Sequence, residues 1–403
     1  MKKILVLTNI YPAPDVERGN TPVVHYFTKE WEKMGYEVRV INYPANFPKL
    51  MMWIATLFKK QLSSRLGATI RTYQLGEIPY EIDNVPVMRI PLLKRKLHGA
   101  YSRRAIDAAY TKTLRYLKSV SFSPDLIISH WVNPQLEIMN RLKKEYHCRT
   151  CYVAHLATAE LDAIYSRERS QQLIDDIDVI GFRSSYIKTQ FFKAFTFSGS
   201  TFQCYSGIPE KYVSQKPVVR TFENLNRFIY VGTLIRRKFP AEIIPALVGA
   251  YGDEEFCMSY IGTGSEQKQI EAYAKKANVE DKVNLLGFIP RDKVVEKMCS
   301  SDIFIMISRN EAFGLVYLEA MAMGLITIAS KKEGFDGIIV HGKNGFLCEA
   351  GNVTELTNLI KEIRNMEPVQ LQQISRNAME TASNLTDTKA ARLYMNAISD
   401  AIN

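Results

Sequence analysis

The chain has 403 residues, of which 46% are hydrophobic and 23% are charged, a balance that is typical of soluble globular proteins. This length is sufficient for two domains with separate cores. No run of 18 or more apolar residues is present, so no membrane-spanning helix is expected. Six cysteines in a chain of this size indicate a reducing compartment.

The net charge of +10 is unevenly distributed along the chain. Residues 1–220 hold 32 Lys and Arg against 19 Asp and Glu, whereas the remaining residues hold 20 against 23. The basic excess therefore belongs entirely to the first half. Such an excess predicts an anionic partner, which could be lipid headgroups, a pyrophosphate-linked carrier or nucleic acid. No zinc finger, recognition helix or aromatic RNA-binding signature supports nucleic acid as this partner.

The first elements in chain order predict one β-loop-α-β unit. Residues 3–8 form a continuous apolar run that indicates a buried strand. Thr21 as N-cap and Pro22 at the first helical position predict a helix that runs to Met34. Residues 37–41 predict a second strand, and a unit of this kind begins a doubly wound parallel sheet.

Residues 44–75 do not fit this alternation. Their apolar side chains recur at helical spacing and are interleaved with basic ones, which leaves two interpretations open: a basic amphipathic helix on a membrane interface, or a helix packed on its own domain with a solvated basic face. A second basic cluster at residues 92–104 favours the membrane surface. The apolar positions are Trp53, Ile54, Leu57, Phe58, Leu62 and Leu66, and the basic positions are Lys49, Lys59, Lys60, Arg65 and Arg71.

Three further predicted strands of the first half carry polar side chains at their carboxyl ends. These side chains are His130, His155 and Ser184. In open α/β sheets, ligand-binding groups gather at the carboxyl ends of the strands. The three residues are therefore candidates to line one ligand site.

After a predicted linker at residues 214–220, the alternation of strands and helices begins again. The sequence thus predicts an α/β protein with two doubly wound parallel-sheet domains at residues 1–215 and 221–385, followed by an amphipathic helix at 386–403. The predicted strands of the second domain lie at residues 228–232, 258–262, 283–287, 302–307 and 325–329.

Two glutamates, Glu311 and Glu319, flank a predicted helix start at Gly314. Gly324 ends this helix and an apolar strand follows. The free N–H groups and the positive dipole end of such a helix form an anion site. A diphosphate held there would have one carboxylate on each flank to accept hydrogen bonds from hydroxyls, which matches the layout of a nucleotide-sugar. A solvated helix face is the alternative on spacing alone.

This stretch resembles the Glu-x7-Glu signature of glycosyltransferase family 4, the group 1 glycosyl transferases, of the type that builds capsules and exopolysaccharides. The resemblance extends over nearly the whole chain. It implies the GT-B fold, with two Rossmann-like domains facing across a cleft and a C-terminal helix that returns to the first domain. The pair Arg237-Lys238 is similar to the cationic segment of the family, whereas Glu333–Gly337 departs from its Gly-Gly-x-x-Glu loop.

The resemblance also implies roles for individual residues. Glu311 would bind hydroxyls of the donor sugar, Lys238 and Arg237 would offset the charge of the departing diphosphate, and His130 would lie near the transferred sugar. These four are the implied catalytic residues. The implied substrate-binding residues are Glu319 for the ribose, the backbone of Phe313, Gly314, Leu315 and Val316 for the diphosphate, and Gly19, His155, Gly262, Gly264 and Ile289 near the donor.

The implied activity is a retaining transfer of a sugar from a nucleotide-sugar, with a UDP-sugar favoured, to a saccharide acceptor that is lipid-linked, in bacterial surface polysaccharide synthesis. No metal and no cofactor are expected, and no side-chain base is needed, because the departing phosphate oxygen can take the acceptor proton. The expected location is the cytoplasm, at the inner face of the membrane, with an anionic membrane surface as partner. The alternatives are a nucleotide-sugar epimerase or phosphorylase of the same fold and, less favoured, a basic nucleic-acid-binding protein.

Overall fold

The computed structural model describes residues 2–16, 22–58, 73–95, 99–156, 159–213 and 220–402. Within these ranges the chain forms two compact units. The first unit combines the described residues between 2 and 205 with residues 387–402, and the second unit consists of the described residues between 206 and 386. Each unit is an α/β structure built on its own sheet, so the predicted class of two doubly wound, Rossmann-like domains is confirmed.

The first unit is built on a parallel sheet. Its described strands are β1 (Lys3–Thr8), β2 (Glu37–Asn42), β3 (Ala45–Asn46), β4 (Ile78–Ile82), β5 (Val85–Arg89), β6 (Leu92–Leu93), β7 (Leu126–His130), β8 (Arg149–Ala154), β9 (Val179–Phe182) and β10 (Ser200–Gln203). Eight of them follow the order β10-β9-β8-β7-β1-β2-β5-β4, while β3 and β6 form a separate pair. Among the described strands, only β4 and β5 pair in an antiparallel manner. The order reverses between β1 and β7, which is where such sheets bind ligands.

Helices cover both faces of this sheet. They are α1 (Val23–Lys33), α2 (Lys49–Leu57), α3 (Arg103–Ser119), α4 (Gln135–Tyr146), α5 (Ala159–Asp162), α6 (Arg167–Asp175), α7 (Ser185–Ala194) and the C-terminal helix (Asp387–Ile402). Ile4 and Val6 of β1 join one core cluster with α1 and the C-terminal helix, whereas Leu5 and Leu7 join the cluster on the opposite face. Because both faces of β1 are buried, every residue from Ile4 to Leu7 is apolar. Trp31 anchors the C-terminal helix by donating from Nε1 to the Ala391 carbonyl at 3.1 Å.

The start of α1 differs from the prediction by one residue. Pro22 is the N-cap of the helix and not its first helical residue. The helix ends at Lys33, Met34 is the C-cap, and Gly35 adopts a positive φ of 88°. Thr21, the predicted N-cap, and Gly19, a predicted donor-site residue, lie outside the described residues.

Helix α2 occupies nine residues of the segment that did not fit the alternation. Met52 is its only buried residue. Leu50, Trp53, Leu57 and the C-cap Phe58 each expose more than half of their surface, so most of the large apolar side chains in the described part of this segment lie at the surface, and both interpretations stay open. The predicted apolar and basic positions from 59 to 72 lie outside the described residues. No helix in the described ranges is long and apolar enough to cross a membrane.

The described residues of the second unit form a six-stranded sheet in which all pairings are parallel. Its strands are β11 (Arg227–Val231), β12 (Cys257–Ile261), β13 (Val283–Leu285), β14 (Ile303–Ile305), β15 (Ile326–Ser330) and β16 (Phe346–Cys348). Its helices are α8 (Ile243–Tyr251), α9 (Gln267–Lys276), α10 (Arg291–Cys299), α11 (Leu315–Ala322), α12 (Val353–Arg364) and α13 (Pro368–Ser383). The strand order is β13-β12-β11-β14-β15-β16, and it reverses between β11 and β14. The loops after these two strands carry Lys238 and Glu311.

Candidate active site

The start of helix α11 has the geometry that the sequence predicted. Gly314 is the N-cap, with a left-handed φ of 83°, and Gly324 ends the segment at a φ of 73°. A Cβ at Gly314 would lie 2.5 Å from the ring of Tyr317, so any larger residue would be strained at this position. Phe313 is buried and its ring packs against Phe335 with the centroids 5.4 Å apart. The side chain of Phe313 is thus an anchor, and the first N–H groups of the helix have the arrangement that binds anions at helix starts.

Two cations lie beside Glu311, three residues before this helix start. Lys238 Nζ is 3.0 Å from Glu311 Oε2, and Arg237 Nη1 is 3.7 Å from the same oxygen. Both cations belong to the 3₁₀ turn Arg236–Lys238. The Arg309 N–H donates to the Arg237 carbonyl at 2.7 Å, which ties this turn to the Glu311 loop. The structure therefore brings Arg237 and Lys238 together with Glu311, which lies more than 70 positions later in the chain.

Glu333 is a member of this cluster that the sequence reasoning missed. Its carboxylate accepts a hydrogen bond from the Glu311 backbone N–H at 2.9 Å, and the Gly334 N–H donates to the Glu311 carbonyl at 2.8 Å. A Cβ at Gly334 would lie 2.5 Å from the backbone of Ala312 and Phe313. Burial raises the pKa of Glu333, against the lowering by the Glu311 N–H. The loop that departs from the family pattern thus supports the position of Glu311.

Glu319 lies within helix α11, five residues after Gly314, and is largely buried. Its Oε1 is in direct contact with Nη2 of Arg291, the first residue of α10. Burial raises the pKa of Glu319 to about 7, and the guanidinium of Arg291 opposes this rise. Ile289 is half-buried in the loop before α10. Sequence spacing placed Glu319 correctly on α11 but gave no signal for Arg291.

Because its pKa is raised in the folded chain, Glu319 favours folding only while it is protonated. The stability that Glu319 contributes is fully present below the pKa that this carboxyl has in the unfolded chain. It is lost as the pH rises through about 7, the pKa in the folded chain. When the pH is raised from 4.5 to 8.5, we expect the free energy of unfolding of Glu319→Gln to increase relative to that of the wild type, by up to about 3 kcal/mol. Denaturant unfolding at the two pH values measures this change. Glu296→Gln, which alters an exposed carboxylate paired with Lys293, should show no such gain, and a flat difference for Glu319→Gln would contradict the prediction.

Gly262 and Gly264 serve the packing of neighbouring loops. A Cβ at Gly262 would lie 2.0 Å from the Gly232 carbonyl oxygen, and one at Gly264 would lie 2.1 Å from the Leu234 carbonyl oxygen. The Gly262 N–H also donates to the Gly287 carbonyl at 2.8 Å. The two glycines allow the loops after β11, β12 and β13 to converge at one edge of the sheet, which is the edge that holds Lys238.

In the first unit, His130 and His155 lie at the carboxyl ends of β7 and β8 and contact each other. His130 Nδ1 is 3.0 Å from His155 Nε2, so one imidazole donates and the other accepts. Trp131 stacks on His155 with the ring centroids 4.2 Å apart. Burial lowers the pKa of His130 to about 3 and holds the pKa of His155 below its usual value. Both rings are therefore neutral at neutral pH, and only His155 retains any exposed surface.

Ser184 does not line this site. Its Oγ accepts the Ile187 N–H at 3.2 Å and caps helix α7, and the residue is buried. The expectation that Ser184 binds a ligand is therefore wrong, because the end of β9 leads directly into a helix that uses the hydroxyl as its cap. Arg183, the residue before it, is also buried and donates to the Cys204 carbonyl at 2.8 Å. Its charge adds to the lowering of the pKa of both histidines.

Comparison with known proteins adds an independent line of evidence. The family model described as glycosyl transferases group 1 matches residues 214–381. An uncharacterized glycosyltransferase of Methanocaldococcus jannaschii is 27% identical over 292 residues, which cover 72% of this chain and 78% of that protein. N-acetyl-alpha-D-glucosaminyl L-malate synthase of Bacillus anthracis is 32% identical over 126 residues, which cover 31% of this chain and 32% of that protein.

The fold is similar to that of solved GT-B enzymes over the whole chain. HepE from Anabaena, solved in complex with UDP, has a TM-score of 0.70 and 18% sequence identity, and the match covers 99% of this chain and 100% of that one. The GT-B fold predicted from the sequence is thus confirmed. The family match and the fold together support a glycosyltransferase, and they favour neither the epimerase or phosphorylase alternative nor the nucleic-acid-binding one.

Proposed function

We propose that the chain is a retaining, metal-independent glycosyltransferase that takes its sugar from a nucleotide-sugar, with a UDP-sugar favoured. The observation that carries this proposal is the contact of Lys238 with Glu311 at 3.0 Å, three residues before the N-cap of α11. It brings a cation from one loop of the second unit next to a carboxylate and a helix start in another loop, where the carboxylate would bind hydroxyls and the helix start would bind the diphosphate. Such an arrangement suits a sugar joined to a diphosphate.

The proposed donor position follows from these groups. The diphosphate lies on the backbone N–H groups at Gly314, Leu315 and Val316, the sugar hydroxyls bind Glu311, and the ribose binds Glu319. In the reaction, the bond between the anomeric carbon and the phosphate oxygen breaks, and the acceptor oxygen bonds to the same face of that carbon. Lys238 and Arg237 stabilise the charge that develops on the leaving diphosphate.

The acceptor proton passes to the departing phosphate oxygen. A side-chain base is not needed for this step, and the low pKa of His130, about 3, makes that imidazole a weak proton acceptor at neutral pH. The proposed role of His155 is to orient the acceptor. His130 is fully buried and holds the imidazole of His155 through their hydrogen bond of 3.0 Å. No step of this mechanism passes through a metal ion.

The experiment that tests this function measures the release of nucleoside diphosphate from a panel of nucleotide-sugars in the presence of saccharide acceptors. Proton NMR of the product then gives the anomeric configuration. An α-linked product from an α-linked donor supports the retaining transfer. An inverted product would overturn the retaining mechanism, and failure to release any nucleoside diphosphate would overturn the proposed activity.

The proposed acceptor is a lipid-linked saccharide at the inner face of the cytoplasmic membrane, in bacterial surface polysaccharide synthesis such as that of a capsule. Two observations support this part of the proposal. The first half of the chain carries the whole basic excess, and helix α2 exposes Leu50, Trp53 and Leu57. A short apolar helix at the surface of a basic unit suits the interface of an anionic bilayer.

We expect the double variant Trp53→Ser, Leu57→Ser to lose most of its binding to anionic vesicles, because it removes two large apolar groups from the exposed face of α2. Co-sedimentation with phosphatidylglycerol vesicles, compared with phosphatidylcholine vesicles, measures this binding. Leu393→Ser is the matched control, since Leu393 is also more than half exposed in the first unit. Equal binding of the wild type to both lipids, or unchanged binding of the double variant, would reject the membrane surface.

A further inference from the structure

Arg291 is held in place from two sides. Its Nε donates to the hydroxyl of Tyr212 at 2.7 Å, and its guanidinium lies 5.5 Å from the centroid of the Tyr212 ring. Its Nη2 contacts Oε1 of Glu319. Tyr212 is buried, so it presents a fixed acceptor to the arginine. A guanidinium fixed at one end and paired at the other restricts the orientation of its partner carboxylate.

The pairing has a chemical consequence for Glu319. The carboxylate is largely buried, and burial favours its protonated form, which accepts fewer hydrogen bonds. Arg291 opposes this effect by stabilising the ionised form. Because the contact with Arg291 uses Oε1, Oε2 remains as the second acceptor oxygen. An ionised carboxylate with one oxygen occupied by a fixed cation is a suitable acceptor for the two adjacent hydroxyls of a ribose.

We propose that Arg291, anchored by Tyr212, is a positioning residue that orients the Glu319 carboxylate toward the 2′ and 3′ hydroxyls of the donor ribose and thereby sets the preference for ribonucleotides over 2′-deoxyribonucleotides. This inference rests on the proposed function, which places the ribose at Glu319. Arg291 acts here through Glu319 and takes no part in the bond changes. If Arg291 has this role, its replacement changes the ratio of the affinities for the ribo and the 2′-deoxy nucleoside diphosphate. Loss of a purely structural ion pair would weaken both affinities by the same factor.

The test compares the dissociation constants of the ribo and 2′-deoxy forms of uridine, guanosine and adenosine diphosphate for the wild type, Arg291→Met and Arg291→Lys. Isothermal titration calorimetry measures each constant below the unfolding temperature of the variant. For the base that binds best, the wild type should prefer the ribo form by about tenfold or more, since a hydrogen bond to a charged group has at least this effect. Arg291→Met should reduce the preference to about threefold or less, and Arg291→Lys should restore part of it.

Lys293→Met provides the matched control. Lys293 lies two residues further along α10, is exposed and pairs with Glu296, so its loss removes one cation without touching Glu319. This variant should retain the wild-type preference. If the wild type and Arg291→Met prefer the ribo form over the 2′-deoxy form by the same factor, the inference is overturned while the proposed function stands. If no nucleoside diphosphate binds the wild type, the proposed function and the inference are both overturned.

Discussion

Replacement of Lys238 with alanine is expected to lower kcat/KM by about 10²- to 10³-fold, with most of the loss in kcat, which corresponds to about 3–4 kcal/mol of transition-state stabilisation. The side chain is only 14% exposed and its Nζ lies 3.0 Å from Glu311 Oε2. In such a site a fixed charge interacts more strongly with a developing negative charge than it would in water. The leaving diphosphate gains negative charge as the glycosidic bond breaks, so the largest effect falls on the chemical step.

Lys282 supplies a matched control for this variant. It is 12% exposed, pairs with a carboxylate, Glu255, at 3.2 Å and is the last residue of a 3₁₀ turn in the same unit, as Lys238 is. Lys282→Ala therefore removes a similarly buried, ion-paired lysine away from the proposed site. We expect it to retain wild-type kcat within about threefold, since ion pairs with an exposed partner contribute little. Steady-state kinetics with the donor identified in the panel measure both variants.

Arg237→Ala should have a smaller effect than Lys238→Ala. Its guanidinium is 44% exposed and lies 3.7 Å from Glu311, so solvent screens more of its charge. A loss of about tenfold in kcat is expected. Equal losses for Lys238→Ala and Lys282→Ala, with unfolding midpoints lowered alike, would mean that Lys238 acts only on stability and that the site is assigned wrongly.

The sequence was sufficient to predict most strands of the two main sheets and the helix that begins after Gly314. Both ends of that helix carry a glycine at positive φ, and local backbone chemistry of this kind leaves a clear signature. The alternation of buried strands with helices likewise predicts a parallel sheet in each unit. The proximity of Lys238 to Glu311 came from the resemblance to a family, because no spacing rule relates residues that meet only when β11 and β14 become neighbours.

The parts that the sequence could not predict depend on tertiary contacts. His130 is fully buried because Phe27 and Tyr394 pack around it, and Tyr394 comes from a helix more than 260 positions later. The role of Glu333 depends on the close approach of its loop to the Glu311 backbone. For α2, apolar side chains at helical spacing fit a packed helix and an exposed one equally well. Periodicity can be read from the local sequence, whereas burial depends on which other parts of the chain pack against the helix in the folded structure.

The Gly314→Ala variant is expected to lose both stability and nucleotide binding. An alanine there pays about 1–2 kcal/mol for the left-handed conformation, and its Cβ would lie 2.5 Å from the Tyr317 ring. This ring cannot move away freely, since it is buried, its hydroxyl donates to the Met306 carbonyl at 2.7 Å, and its edge packs on Phe304. Overpacking of this kind adds about 1–3 kcal/mol. The unfolding midpoint of the variant should fall by roughly 5–10 °C.

Gly342→Ala separates the effect of backbone strain from the effect of the clash with Tyr317. Gly342 has a similar φ of 74°, but no atom lies within 4 Å of the position of a Cβ. We expect it to lower the midpoint by about half as much and to bind nucleoside diphosphates as the wild type does. Gly314→Ala, measured by calorimetry well below its midpoint, should bind them at least tenfold more weakly, because relief of the clash displaces the first N–H groups of α11. If the two variants bind equally well, the start of α11 is not the diphosphate site, even where the loss of stability is as large as expected.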